Sequence, residues 1–256
     1  MENNYKLVLG ELISCKFTML LFLLIFNSIQ SNAQTMRIPA QSNILNNTYL
    51  IKTGSGQGTA FIAGYKGEEY LITARHLFSG TTKTGQDVLI YLRRPSGYIP
   101  YVMKVNFHSD NYDIAVLFSE DMPSIGFNYE LGGSYVMGHQ AYFLGFPYTE
   151  DFNTLVDGWN IPLIKSSTIS GSPVINGLPA LVLDGHNNPG FSGGPVIAYD
   201  HSKERNTIIG VISGYYPQYN PIIVSRTESP SFKSSENSGL IFAVQIEKAI
   251  DIIESF

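Results

Sequence analysis

The sequence predicts an all-β protein that ends in a single helix. Short apolar or alternating runs recur between glycine- and proline-marked turns, the pattern of a sandwich or a barrel. Gly (24), Pro (13), Tyr (16) and Phe (15) are plentiful, while only 14% of residues are charged, so the chain suits tight turns around an aromatic core. At the C-terminus the period changes, and Ile246, Ala249, Ile250 and Ile253 fall at helical spacing.

In chain order, Tyr49-Leu50-Ile51 is the first strand candidate, stopped by Gly54-Ser55-Gly56. Thr59-Ala60-Phe61-Ile62-Ala63 and Glu69-Tyr70-Leu71-Ile72-Thr73 flank the hairpin signal Tyr65-Lys66-Gly67. Runs at 88–92, 101–105 and 114–118 continue the series. Residues 120–134, with Pro123, Gly126, Gly132 and Gly133, read as a connection between two halves. The second half offers strands at 140–144, 161–169, 180–183, 196–199 and 207–213, with the polar segment 200–206 as a hairpin tip. Residues 217–238 are long, polar and punctuated by proline, and read as a surface loop. The helix is expected over about 245–255.

The N-terminus has the layout of a targeting segment. Lys6 and Lys16 flank a polar start, an apolar run occupies 17–26, and Ser31-Asn32-Ala33 offers a small-residue cleavage site. Residues 1–33 therefore read as a signal peptide, 34–256 as the mature chain, and the destination as secreted or periplasmic. A bilayer takes roughly 20 apolar residues to cross, more than this run supplies, so no stable membrane anchor is expected. Cys15 is the only cysteine and would leave with the segment, so stability must come from core packing without a disulfide. The net charge of −5 is unchanged by that removal, because Lys6 and Lys16 go with Glu2 and Glu11. No basic patch points to nucleic acid. No mature cysteine and no His-Glu-x-x-His motif point to a metal, and no phosphate-binding loop points to a nucleotide cofactor.

The residues with chemical promise begin with Ser192. Six other Ser-Gly pairs occur, such as Ser55-Gly56 and Ser213-Gly214, and most read as ordinary turns. Only Ser192 lies in Gly190-Phe191-Ser192-Gly193-Gly194-Pro195, preceded by Asn188-Pro189. A serine hydroxyl needs a base to become a nucleophile, and neighbouring glycines let backbone amides point at a developing oxyanion. The nucleophile elbow of α/β-hydrolases shares the Gly-x-Ser-x-Gly spacing but needs a helix next, whereas Pro195 and the apolar run after it argue strand. His76 follows a strand candidate directly, a position that fixes an imidazole at a cleft edge. Asp113 leads straight into the apolar run Ile114-Ala115-Val116-Leu117, where a charge is costly unless paired, and a histidine N–H is a fitting partner.

These segments resemble the trypsin-like serine proteases, most closely the HtrA-like bacterial branch without a PDZ domain. Leu71-Ile72-Thr73-Ala74-Arg75-His76 resembles the Thr-Ala-x-His motif, and Asp113-Ile114-Ala115-Val116-Leu117 the Asp-hydrophobic-Ala-x-Leu motif. Asn188 to Pro195 resembles the serine motif, and the order His, Asp, Ser is that of chymotrypsin-type enzymes. The resemblance spans roughly 45–255 and implies two six-stranded antiparallel β-barrels, about 45–125 and 135–244, with the C-terminal helix after them. It implies a serine endopeptidase acting on protein or peptide substrates through His76, Asp113 and Ser192. Gly190 and Ser192 would supply the oxyanion hole, and Ser213 would support the aspartate. By motif alignment, His186, Asn187 and Asn188 line one wall of the primary pocket and Gly214, Tyr215 and Tyr216 the other.

One residue departs from the digestive members of that family. They carry an aspartate where this chain has Phe191, and pair it with a newly freed N-terminal amine. Phe191 cannot make that pair and is expected to pack under the serine loop instead. With no acid among the wall residues, a preference for Lys or Arg is not expected; Tyr215 would narrow the pocket toward small aliphatic side chains, while His186 would favour acidic ones. Two alternatives remain at this point: a catalytically weak binding or sensor module on the same scaffold, and an esterase using the same triad.

Overall fold

The computed structural model describes residues 42–121, 131–148, 154–156, 159–224 and 227–255. The expected signal peptide with Cys15, and most of the connection at 120–134, lie outside them. A one-turn helix, α1 (Ser42–Asn46), precedes β1 (Thr48–Lys52), β2 (Gln57–Tyr65), β3 (Glu68–Thr73), β4 (Gln86–Arg94), β5 (Gly97–Phe107) and β6 (Ala115–Phe118). These six strands close an antiparallel barrel in the order β1-β2-β3-β6-β5-β4. The tight β2–β3 turn is set by chemistry legible in the sequence. Lys66 and Gly67 both have positive φ (50° and 90°), the conformation that matches the twist of a two-residue hairpin.

A second barrel follows. It is built from β7 (Gln140–Gly145), β10 (Leu163–Gly171), β13 (Leu181–Asp184), β14 (Pro195–Asp200), β15 (Arg205–Val224) and β16 (Thr227–Gln245), and closes as β10-β13-β16-β15-β14-β7. Two short ribbons interrupt it: β8 (Thr154–Val156) with β9 (Trp159–Ile161), and β11 (Val174–Ile175) with β12 (Leu178–Pro179). The chain ends in α2 (Glu247–Ile253).

Each barrel has its own apolar interior. Ile51, Ile62, Leu71, Leu92 and Leu117 fill the first, and Phe143, Ile169, Leu183, Phe191 and Ile212 the second. A third cluster joins them: Phe61, Ile72 and Val116 of barrel one meet Leu144, Ile197 and Val211 of barrel two, with Ile246 and Ile253 from the C-terminal segment. This explains why β2 is buried almost continuously instead of alternating. One face of the strand points into its barrel and the other into the seam.

Residues 217–238 are not a loop. They form a two-stranded arm in which Pro217 faces Asn237, Tyr219 faces Ser235 and Pro221 faces Lys233. β15 pairs with β14 only as far as Val211, so beyond it the arm has no further sheet neighbour. A free ribbon buries little, which accounts for its polar composition. Its prolines lack an N–H but lie where the register shifts, between Tyr215 and Pro217 and between Pro221 and Ile223.

Candidate active site

His76 is presented by a single 3₁₀ turn, Arg75–Leu77, directly after β3. Leu77 of that turn is buried and anchors it, leaving the imidazole half-exposed. Asp113 stands before β6 between two buried residues, Tyr112 and Ile114. The Arg75 guanidinium donates to Asn111 Oδ1 at 2.9 Å, tying the two loops together. Asp113 then grips His76 twice. Its Oδ1 accepts the His76 backbone N–H and its Oδ2 accepts from Nδ1, both at 2.8 Å. Ser213 Oγ donates to the same Oδ2 at 2.6 Å. With Nδ1 committed as a donor, Nε2 is the nitrogen left with a lone pair.

The electrostatics follow from those bonds. Hydrogen bonding to Asp113, reinforced by its charge, raises the His76 pKa against the opposing effect of burial. Burial pushes the Asp113 carboxyl up, but the bonds from His76 and Ser213 outweigh it and hold the group below its ordinary value.

Ser192 reaches this pair from barrel two. Its turn depends on two glycines with positive φ, Gly190 (+105°) and Gly193 (+86°). A Cβ on Gly190 would lie 2.2 Å from the Phe146 carbonyl oxygen, and one on Gly193 2.1 Å from that of Thr59. Thr59 of β2, fully buried, holds the loop from the other barrel. Its N–H donates to the Ser192 carbonyl at 2.8 Å and its hydroxyl to the Gly190 carbonyl at 2.7 Å. The hydroxyl also accepts the Phe146 N–H at 3.1 Å, and the Thr59 carbonyl accepts from Thr73 Oγ1 at 2.6 Å. The Gly190 and Ser192 amides donate to no group among the described residues.

Ser192 Oγ donates to the Ser213 carbonyl at 3.3 Å, and no hydrogen bond joins it to His76. Ser213 thus touches both sides: its hydroxyl donates to Asp113 and its carbonyl accepts from the Ser192 hydroxyl. Phe191 lies under the loop, fully buried, with its ring edge-on to Phe143 at 5.0 Å.

The wall residues adopt unequal settings. His186 is exposed, while Asn187 is buried with its backbone carbonyl accepting from Asn237 of the arm and its Oδ1 unpartnered. Asn188 donates to the Tyr148 hydroxyl at 3.1 Å and accepts from Lys165 at 3.2 Å. On the other side, Gly214 pairs with Phe242 and Tyr215 with Ile241. Tyr215 is half-buried; it is the exposed Tyr216 whose ring meets Phe242, edge-on at 6.2 Å. No group of three or more His, Cys, Asp or Glu is placed to hold a metal among the described residues, and no helix among them is long and apolar enough to cross a membrane.

Sequence reasoning missed Thr59 and Lys165. Thr59 carried a usable signal, a hydroxyl opening the apolar run 59–63, where a buried polar group must have partners. Lys165 carried none, because the partners of its ammonium come from segments about 20 residues away.

Known proteins share this fold. A family model described as a trypsin-like peptidase domain matches residues 58–211, a stretch that includes His76, Asp113 and Ser192. Among solved structures, the HtrA-type protease AlgW with a tripeptide is 20% identical, with a TM-score of 0.53 over 84% of this chain. This chain spans only 62% of the AlgW chain. An inactive serine-to-alanine mutant of Rv3671c from M. tuberculosis is 14% identical, with a TM-score of 0.53 over 87% of this chain and 92% of that one. A serine endoprotease from Yersinia pestis is 16% identical, with a TM-score of 0.51 over 84% of this chain and 64% of that one. At these identities the likeness is one of fold. Comparison with curated proteins finds no match.

Proposed function

The chain belongs to the trypsin-like peptidase family, and on that premise we propose that it is a serine endopeptidase working through His76, Asp113 and Ser192. The observation that carries the reading is the double grip of Asp113 on His76, joined to the serine loop through Ser213. The Ser192 bond to the Ser213 carbonyl is long for O–H···O, so turning the hydroxyl toward His76 costs little. His76 Nε2 then takes the Ser192 proton as Oγ bonds the substrate carbonyl carbon. The carbonyl π pair moves to oxygen, where the Gly190 and Ser192 amides receive it; one such donor is typically worth ~100–1,000-fold in turnover. As the intermediate collapses, the C–N bond breaks and the imidazolium protonates the departing amine. Water, with His76 again as base, attacks the acyl carbon and releases Ser192 with its proton restored.

The substrate is a protein or peptide, met after export to a secreted or periplasmic location. No acid lies among the wall residues, which argues against Lys or Arg at the cleaved bond; we infer small aliphatic side chains, facing Tyr215. A peptide-library profile dominated by Glu or Asp would shift that choice to His186. The Ser192–Ser213 bond is the one observation favouring a catalytically weak binding module instead. A fluorophosphonate probe decides: the folded mature protein labels and Ser192→Ala does not. No labelling of the wild type removes the enzyme reading, and turnover of casein against a nitrophenyl ester separates protease from esterase.

A further inference from the structure

We propose that Lys165 is a positioning residue, a built-in cationic brace that keeps the oxyanion loop in its working shape. The inference rests on the serine-protease reading above and names what holds that site ready.

Lys165 lies on β10, opposite Phe143 of β7. Its ammonium donates to the His186 backbone carbonyl and to Asn188 Oδ1, the latter at 3.2 Å. The same nitrogen sits 5.7 Å from the ring centroid of Phe191 and 6.0 Å from that of Phe143. Both distances are within the range of cation–π attraction. One side chain therefore touches the segment 186–191 at three points, immediately before Ser192. Phe191 is fixed from beneath as well: a Cβ on Gly145 would lie 2.7 Å from its Cδ1. The amide that needs aiming, Gly190, lies between Asn188 and Phe191, so restraining those two residues restrains it.

The ammonium has no carboxylate partner among the described residues. Burial lowers its pKa, as expected of a cation that has lost water without gaining a counter-charge. Among the described residues, its charge is met by a backbone carbonyl, the Asn188 amide oxygen and ring faces belonging to the loop and its support. A neutral side chain of the same length fills the space but cannot make those contacts. This separates positioning from packing.

The test compares the mature wild type with Lys165→Met and Lys165→Arg. Methionine keeps the apolar stem and removes the charge; arginine keeps the charge and its donors. Lys165→Met is expected to lower kcat on a peptide substrate by about 10- to 100-fold, the scale of a small misplacement in a preorganised site, with little change in KM. Lys165→Arg is expected to restore most of kcat. Amide hydrogen exchange across 186–192, which needs no catalysis, is expected to quicken in Lys165→Met and not in Lys165→Arg. Unchanged exchange in Lys165→Met overturns the brace whether or not the protein is an enzyme. So does a loss in Lys165→Met that arginine fails to restore. Absent fluorophosphonate labelling of the wild type, with exchange altered as expected, leaves the brace standing and removes the protease reading alone.

Discussion

Replacing Thr59 with valine isolates the bond that joins the two barrels at the serine loop. The side chains match in shape, so no cavity forms and the change is the hydroxyl alone. Two groups lose their partner. The Phe146 N–H belongs to a buried residue, and Thr59 Oγ1 is its acceptor; leaving it unpaired costs about 1–3 kcal/mol. Gly190 is half-buried, so its carbonyl is expected to gain water in the variant and only the net worth of its bond is lost, about 0.5–1.5 kcal/mol. Together these give about 1.5–4.5 kcal/mol, a fall in melting temperature of roughly 3–18 °C for a domain of this size. Turnover is expected to fall further than stability explains at a temperature where the variant is folded, because Gly190 carries a proposed oxyanion donor; a loss of ~10–100-fold fits a loop displaced by a fraction of an ångström. Thr59→Ser keeps the hydroxyl and should retain both properties apart from about 1 kcal/mol for the lost methyl. Urea unfolding and peptide turnover measure the two effects. A valine variant within 0.5 kcal/mol of wild type, with unchanged turnover, would refute the argument that Thr59 anchors the loop.

Asp113→Asn should cut kcat/KM on the order of 10⁴-fold and, followed by NMR, move the His76 imidazole titration to lower pH, since the carboxylate is what raises it. A urea-unfolding series against pH should show the linked effects in the wild type. The depressed Asp113 contributes stability that is present above its unfolded value of 3.8 and lost as pH falls through the folded one. The raised His76 contributes stability that is present below 6.5 and lost as pH rises through its folded value. Both should vanish in Asp113→Asn. Gly190→Ala places a methyl 2.2 Å from the Phe146 carbonyl oxygen at a φ of +105°, and the strain, about 1–3 kcal/mol or more, should be relieved by moving the loop. Turnover should then fall ~100–1,000-fold while circular dichroism stays barrel-like; full activity would mean that the Gly190 amide does not serve the oxyanion.

Local chemistry made most of the fold legible. Lys66-Gly67 announces its turn, and Leu71-Ile72-Thr73 its strand, because hairpins and apolar runs are written in neighbouring residues. The proposed site residues His76, Asp113 and Ser192 could be picked out for the same reason, each sitting in its own short motif. The arm at 217–238 was not. Its strands are held by main-chain pairing between residues such as Tyr219 and Ser235, which leaves no apolar period to read. Phe191 could be placed beneath the loop from its position alone, but its partner Phe143 could not be named, since barrel closure brings β7 there. Thr59 and Lys165 share that fate: their side chains act across folds of the chain, on Gly190 and on Asn188.

On the proposed reading, the Thr59 contacts have a consequence for when this molecule could act on other proteins. The Ser192 loop grows from barrel two, yet Thr59, which bonds it at Gly190 and Ser192, and the proposed base His76 with its Asp113 belong to barrel one. Neither half alone carries a finished catalyst. On that reading, a chain with its first barrel formed and its second still open would be chemically silent. Reactivity then waits for the halves to dock, and completion of folding sets its timing.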